Sequence, residues 1–394
     1  MRGRPAEVFL VFLKLGCISF GGPVAHIGYF RDEFVGRLKW IDDKAYAELV
    51  ALCQFLPGPA SSQVGFAIGL RRTGTLSGGL AAFLGFTLPS AIAMAALGLG
   101  IASFDATGAV VHGLKLVAVA IVAQAVWGMA RPLLVETARW MIAVASFGFC
   151  LLIAHAIAQI GVIALGLVAG WAFCAPGASV TPHKRDVTIG RKSAMVALTL
   201  AVLLLVLPAA MAPLLGATEL AFFDAFYRSG AMVFGGGHVV LPLLEAAVVA
   251  PGWVSPERFL AGYGLAQAMP GPLFTFASYL GAAAYPPYGG SAGAVVATLG
   301  LFLPGLLLVY GALPFASELM TRKAVSAAMQ GATAAVVGLL AAALYDPVMV
   351  SAIHAPADAG LALIGFLALV LVRAPAWQVV LVLPAMSVAL HGLS

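Results

Sequence analysis

The chain has 394 residues, 62% of them hydrophobic and only 9% charged, with a formal net charge of +5 and a mean hydropathy of +1.03. Soluble domains carry about 25% charged residues, so this composition excludes a soluble or disordered chain and describes an all-α polytopic membrane protein. The small positive surplus fits basic cytoplasmic loops rather than nucleic acid. The four cysteines, Cys17, Cys53, Cys150 and Cys174, follow no disulfide or metal-ligand spacing and read as buried hydrophobes.

The start, MRGRPAEVFLVFLKLG, is basic but has no small-residue cleavage site, so no signal peptide is expected. An apolar arm from residue 7 is interrupted at FGGP (20–23), and a second arm runs to a basic cluster, Arg37, Lys39 and Lys44. Residues 45–70 repeat this pattern around LPGP (56–59). A long apolar run follows at 76–101 and another ends near Arg131; two more spans are expected at 140–156 and 158–176. TPHKRDVTIGRKS (181–193) lies in a basic linker, 177–193, and an extra span covers 194–215.

The pattern then starts again. FLKLGCISFGGPV (12–24) aligns with FYRSGAMVFGGGH (226–238), KWIDDKAYAELVALCQFLPGP (39–59) with GWVSPERFLAGYGLAQAMPGP (252–272), and LGFTLPS (84–90) with LGLFLPG (299–305). The expected organisation is a first unit in 1–176, with its repeating core at 7–131 and two additional helices. After the linker, 194–394 holds the extra helix, a second core at 221–346 and C-terminal helices. Cations crowd the loops of the first unit, whereas PGWVSPE (251–257) and AYPPYGG (284–290) carry only an acidic residue and no cation. By the positive-inside rule the N-terminus and the linker at 181–193 are cytoplasmic, and the second unit enters from the other face. The two units are therefore inverted-topology repeats.

Each arm between same-side cations holds about 12 to 14 residues, or about 21 Å at most, short of the ~30 Å of hydrocarbon. The expected architecture is thus broken, re-entrant helical hairpins whose Gly/Pro tips meet near the membrane midplane. Irregular backbone at that depth is tolerated where it is buried in protein or lines a wet cavity, as in many secondary transporters. Pro59-Ala60-Ser61-Ser62 is a helix start, and free N–H groups there favour an anion. The candidate substrate-binding residues are Gly21, Gly22, Gly58, Gly235, Gly236 and Gly271 at the tips, and the donors Ser19, Gln54, Ser61, Ser62, Gln63, Gln267 and Thr275. Lys14 and Arg228, at equivalent positions before the Gly-Gly breaks, are the candidate cations. His26 and His238 are candidates for carrying a proton. Arg31 and Glu245, equivalent positions of opposite charge, are expected to pair across the units. No catalytic residue, metal or cofactor is implied.

In FGGPVAHIGYFRDEFV (20–35) with FGGGHVVLPLLE (234–245), and QFLPGPASSQ (54–63) with QAMPGPLFTFASYLG (267–281), the chain resembles the chromate ion transporter family. The resemblance covers both units. It implies export of chromate across the bacterial inner membrane, coupled to the proton gradient, and so chromate resistance. Sulfate, which shares charge and shape, is an alternative substrate, and a homodimer is a candidate assembly. The rivals are an anion channel of the same architecture, a structural scaffold, and a membrane-embedded reductase, which would need ligand spacings not found here.

Overall fold

The computed structural model describes residues 3–391 except 104–107, 154–155, 176–188, 217, 235–238 and 317–321. The helices of the first unit are α1 (Pro5–Ile18), α2 (Gly22–Phe30), α3 (Asp43–Phe55), α4 (Ala60–Thr73), α5 (Leu76–Ser103), α6 (Gly108–Leu133), α7 (Thr137–Leu152) and α8 (Ala156–Phe173). After α9 (Arg191–Leu215) come α10 (Thr218–Ala231), α11 (Val240–Val248), α12 (Pro256–Gln267), α13 (Phe276–Ala283), α14 (Gly290–Ala312), α15 (Lys323–Ala343), α16 (Pro356–Leu367) and α17 (Ala376–His391). The order α1–α8 recurs as α10–α17, so the repeat reaches beyond the motif-bearing cores and takes in the helices expected as additions.

The same local chemistry starts equivalent helices in the two units. Asp42 caps α3, its Oδ1 accepting from the Ala45 N–H at 2.8 Å, and Ser255 caps α12, its Oγ accepting from the Arg258 N–H at 3.3 Å. Packing repeats as well: α1 and α4 lie against α5 as α10 and α13 lie against α14. Each unit also reaches into the other. α7 and α8 embrace α15, while α16 and α17 embrace α6.

Among the described residues, five helical stretches are long and apolar enough to cross a membrane: Leu76–Gly100, Val111–Leu133, Arg191–Ala212, Gly290–Phe315 and Lys323–Ala352. By contrast α1, α3 and α4 hold only 14, 13 and 14 residues. Their outer ends gather in one place. The Gly3 N–H donates to the Arg72 carbonyl at 3.0 Å, Arg72 pairs with Glu7 at 3.1 Å, and its guanidinium lies 4.9 Å from the Trp40 ring. In the second unit Trp253, equivalent to Trp40, lies 4.9 Å from Tyr288 and 5.3 Å from Phe222, and its carbonyl accepts from the Tyr285 N–H at 2.8 Å. The helix ends near residues 3–7, 40 and 72 thus share one base, and those near 222, 253 and 285–288 share another.

The two bases lie at opposite ends of α5. Gly78, near the start of α5, packs on Gly69, one turn before Thr73, whereas Gly98 packs on Tyr279 and Ala282 beside the second base. Leu76 and Gly98 are about 33 Å apart along a helix axis, so the units are inverted. Gly271, at the second-unit tip, meets α5 between them, at Phe86 and Ser90.

Candidate functional site

At the breaks the two units exchange backbone hydrogen bonds. The Gly58 N–H donates to the Val233 carbonyl at 2.8 Å, and the Gly271 N–H donates to the Ser19 carbonyl at 2.9 Å. Val233 and Ser19 are equivalent positions, so one contact is made twice, as an approximate two-fold axis requires. Gly58 and Gly271 have φ of 123° and 86°, in the left-handed region that favours glycine. These two N–H groups satisfy carbonyls freed by the opposite break, which buried backbone demands.

Further straps hold this layer. Gln63 Nε2 donates to the Pro57 carbonyl and to the Gly305 carbonyl, each at 3.0 Å. His26 is fully buried, with Nε2 3.2 Å from the Ser19 carbonyl and Nδ1 3.3 Å from Ser61 Oγ. A carbonyl can only accept, so Nε2 carries the hydrogen, and in the neutral ring Nδ1 accepts from the Ser61 hydroxyl. Thr275 Oγ1 donates to the Pro272 carbonyl at 2.8 Å. Around these straps, Ser19 Oγ, Ser62 Oγ, Gln63 Oε1, Thr87 Oγ1 and Gln267 Nε2 are buried without a hydrogen-bond partner among the described residues. Such a density of unmet polar atoms suits a layer that water or a polar solute reaches.

A cavity of about 410 Å³ opens onto the first-unit breaks, touching Pro23, Gln54 and Gly58. Its other walls include Leu133, Arg139, Ser326, Gln330 and Thr333. At about 30 Å³ per water it has room for a small solvated anion. A second cavity, about 200 Å³, lies at the opposite ends of α7 and α15, lined by Cys150, Gln159, Glu245 and Asp346 among others. Lys115 pairs with Glu257 at 3.5 Å, which places the start of α6 at the second base. Its end, and the first cavity with it, therefore lies toward the first base.

The structure brings Gln54 and Gly58 to the first cavity, and Ser19, Ser61, Ser62, Gln63 and Thr275 to the straps and unmet groups around the breaks. Gly21 and Gly22 open the turn into α2. Gly235, Gly236 and His238 lie outside the described residues. The two expected cations go elsewhere. Lys14 sits on the exposed side of α1, and Arg228 is held by Asp224 one turn earlier, at 2.9 and 2.8 Å; neither lines a cavity described here. Arg31 and Glu245 do not pair. Arg31 binds Asp43 at 2.7 Å on the surface of its own unit, whereas Glu245 faces the second cavity. Arg139, Gln330 and Thr333 were not anticipated. Arg139 reads in sequence as one more loop cation, and Gln330 as an isolated polar residue in an apolar run; an amide inside a membrane span is the one signal that singles it out.

A family model described as chromate transporter matches residues 6–171 and 220–391. The chain belongs to the chromate transporter family. The two matched regions coincide with α1–α8 and α10–α17, which makes the paired family regions the structural repeat. Among similar proteins, a chromate transport protein of Pseudomonas aeruginosa is 32% identical over 89% of this chain and 82% of its own. A probable chromate transport protein of Synechococcus elongatus is 28% identical over 84% of this chain and 82% of its own, and a chromate transport protein of Cupriavidus metallidurans 29% over 86% and 81%. No solved structure matches the fold. The apolar helices and the family match together describe a multi-pass membrane transporter of this family.

Proposed function

We propose that this protein exports chromate across the bacterial inner membrane by alternating access, driven by the proton gradient, and so confers chromate resistance. The observation that carries the reading is the pair of cavities at opposite ends of α7 and α15, with the crossed breaks between them. Rocking of one inverted unit against the other would open each cavity in turn onto that layer. The names of the relatives support chromate as the substrate; sulfate, of the same charge and shape, is the natural competitor. The test is uptake of radiolabelled chromate into inside-out vesicles, with sulfate in competition and with or without a proton gradient. Saturable uptake that falls when the gradient is dissipated is expected. Uptake equal to that of vesicles lacking the protein would defeat the proposal.

In this reading the hairpins α1–α2, α3–α4, α10–α11 and α12–α13 are re-entrant, the first base is cytoplasmic, and the second lies outside. With the four native cysteines replaced, Lys44→Cys and Ser77→Cys are expected to react with an impermeant maleimide from the cytoplasm, and Pro251→Cys and Pro286→Cys from outside. Labelling of positions 44 and 77 from opposite faces would mean a full crossing between them and would remove the hairpins.

A further inference from the structure

Arg139 stands in the first turn of α7, where the helix dipole opposes a cation. Its side chain is only 13% exposed. Nη1 donates to the Leu133 carbonyl at 3.2 Å, and Nη2 to Glu136 Oε1 at 3.2 Å and to Gln330 Oε1. The buried Nε–H has no partner among the described residues. Among the described residues, Arg139 is also the single charged one lining the first cavity, whereas the second is lined by Glu245 and Asp346 and no cation. A buried cation set against a helix dipole, with an unmet N–H and a half-exposed carboxylate as its counter-ion, is an arrangement that an incoming anion would relieve.

We infer that Arg139 is the substrate-binding cation of the first cavity, holding a tetrahedral dianion there beside the Gln54 and Gln330 amides, the role expected in sequence of Lys14 and Arg228. The inference rests on the carrier reading above and adds to it the site of entry. A guanidinium suits an oxyanion because its N–H groups are fixed in one plane and meet oxygens in pairs. Gln330 is the switch partner. Its Oε1 accepts from Arg139, and rotation of the amide would release that hydrogen and turn Nε2 toward the same anion. The acidic lining of the second cavity repels a dianion, so binding is confined to the face of the first base and release is favoured at the other.

The test uses Thr333→Cys, half-buried in the wall of the first cavity, in full-length protein with the native cysteines replaced. Maleimide labelling of this site is measured against increasing molybdate, a tetrahedral dianion that leaves thiols unoxidised. Molybdate is expected to protect the site, and Arg139→Gln to raise the half-protecting concentration by about tenfold or more, with Arg139→Lys between the two. Glu136→Gln, which removes the counter-ion, is expected to lower it; a purely structural Arg139 would give the opposite change or none, so this variant decides the matter if Arg139→Gln fails to fold. Parental protection in Arg139→Gln, or no improvement in Glu136→Gln, overturns the inference. Chromate uptake by the parent is measured in the same preparations. Uptake with unaltered protection in the variants rejects Arg139 alone, whereas protection without any uptake rejects the carrier reading and leaves an anion site.

Discussion

Gly58→Val is expected to abolish chromate uptake while the protein still reaches the membrane. Three features act together at this residue. Its φ of 123° is closed to a β-branched side chain. A Cβ there would come within 2.8 Å of Gly305 Cα in the other unit. Its N–H is the donor to the Val233 carbonyl. Relieving the clash must part the first-unit tip from α14, which breaks the crossed bond and unseats Gln63 from the Gly305 carbonyl. The strain alone is on the order of 1–3 kcal/mol, and the broken buried hydrogen bonds add to it. Gly305→Val should reproduce the loss from the other side, because its Cβ would meet Pro59 Cδ at 2.8 Å. Vesicle uptake normalised to membrane-inserted protein checks both, and normal uptake in either would mean that the crossed tips are dispensable.

Gly331→Leu is expected to destroy the assembled protein rather than its transport step. α15 crosses α8 here with backbones in contact: a Cβ on Gly331 would lie 2.2 Å from the Gly166 carbonyl oxygen and 2.3 Å from Gly170 Cα. Small residues permit such a crossing, which is how helices associate in lipid. A leucine forces the pair apart along its whole length and releases the grip of the first unit on the second. Overpacking of this kind costs about 3 kcal/mol or more when backbone must move. Gly148 on α7 faces open space, so Gly148→Leu is the matched control and should melt as the parent does. Thermal unfolding in detergent, followed by size-exclusion, reads the difference; parental melting of Gly331→Leu would contradict the packing described.

The duplication and the helix breaks were legible in sequence because their causes are local. Pro and Gly end helices wherever they stand, the Asp42 and Ser255 caps sit at the same offset from Trp40 and Trp253, and cations mark one face. The exchange of α7–α8 and α16–α17 between units was not legible, since apolar helices carry no label for their partner. The surroundings of the expected cations were not legible for a related reason. Lys14 and Arg228 hold equivalent positions, yet α1 turns Lys14 outward, and Asp224, one helical turn before Arg228, occupies it first. Arg139 reaches the cavity only because α15 of the distant unit packs beside α7 and supplies Gln330. The Gly58 and Gly271 N–H groups bond to the opposite unit, a contact no single segment contains.

The most direct test of the account is exchange. Proteoliposomes holding the purified protein are preloaded with unlabelled chromate, and the initial rate of labelled chromate entry is compared with that of empty ones. Alternating access between two cavities predicts a saturable rate that internal chromate accelerates, because a loaded site returns faster than an empty one. A rate that rises linearly with concentration and ignores internal chromate would describe a continuous pore and contradict the mechanism.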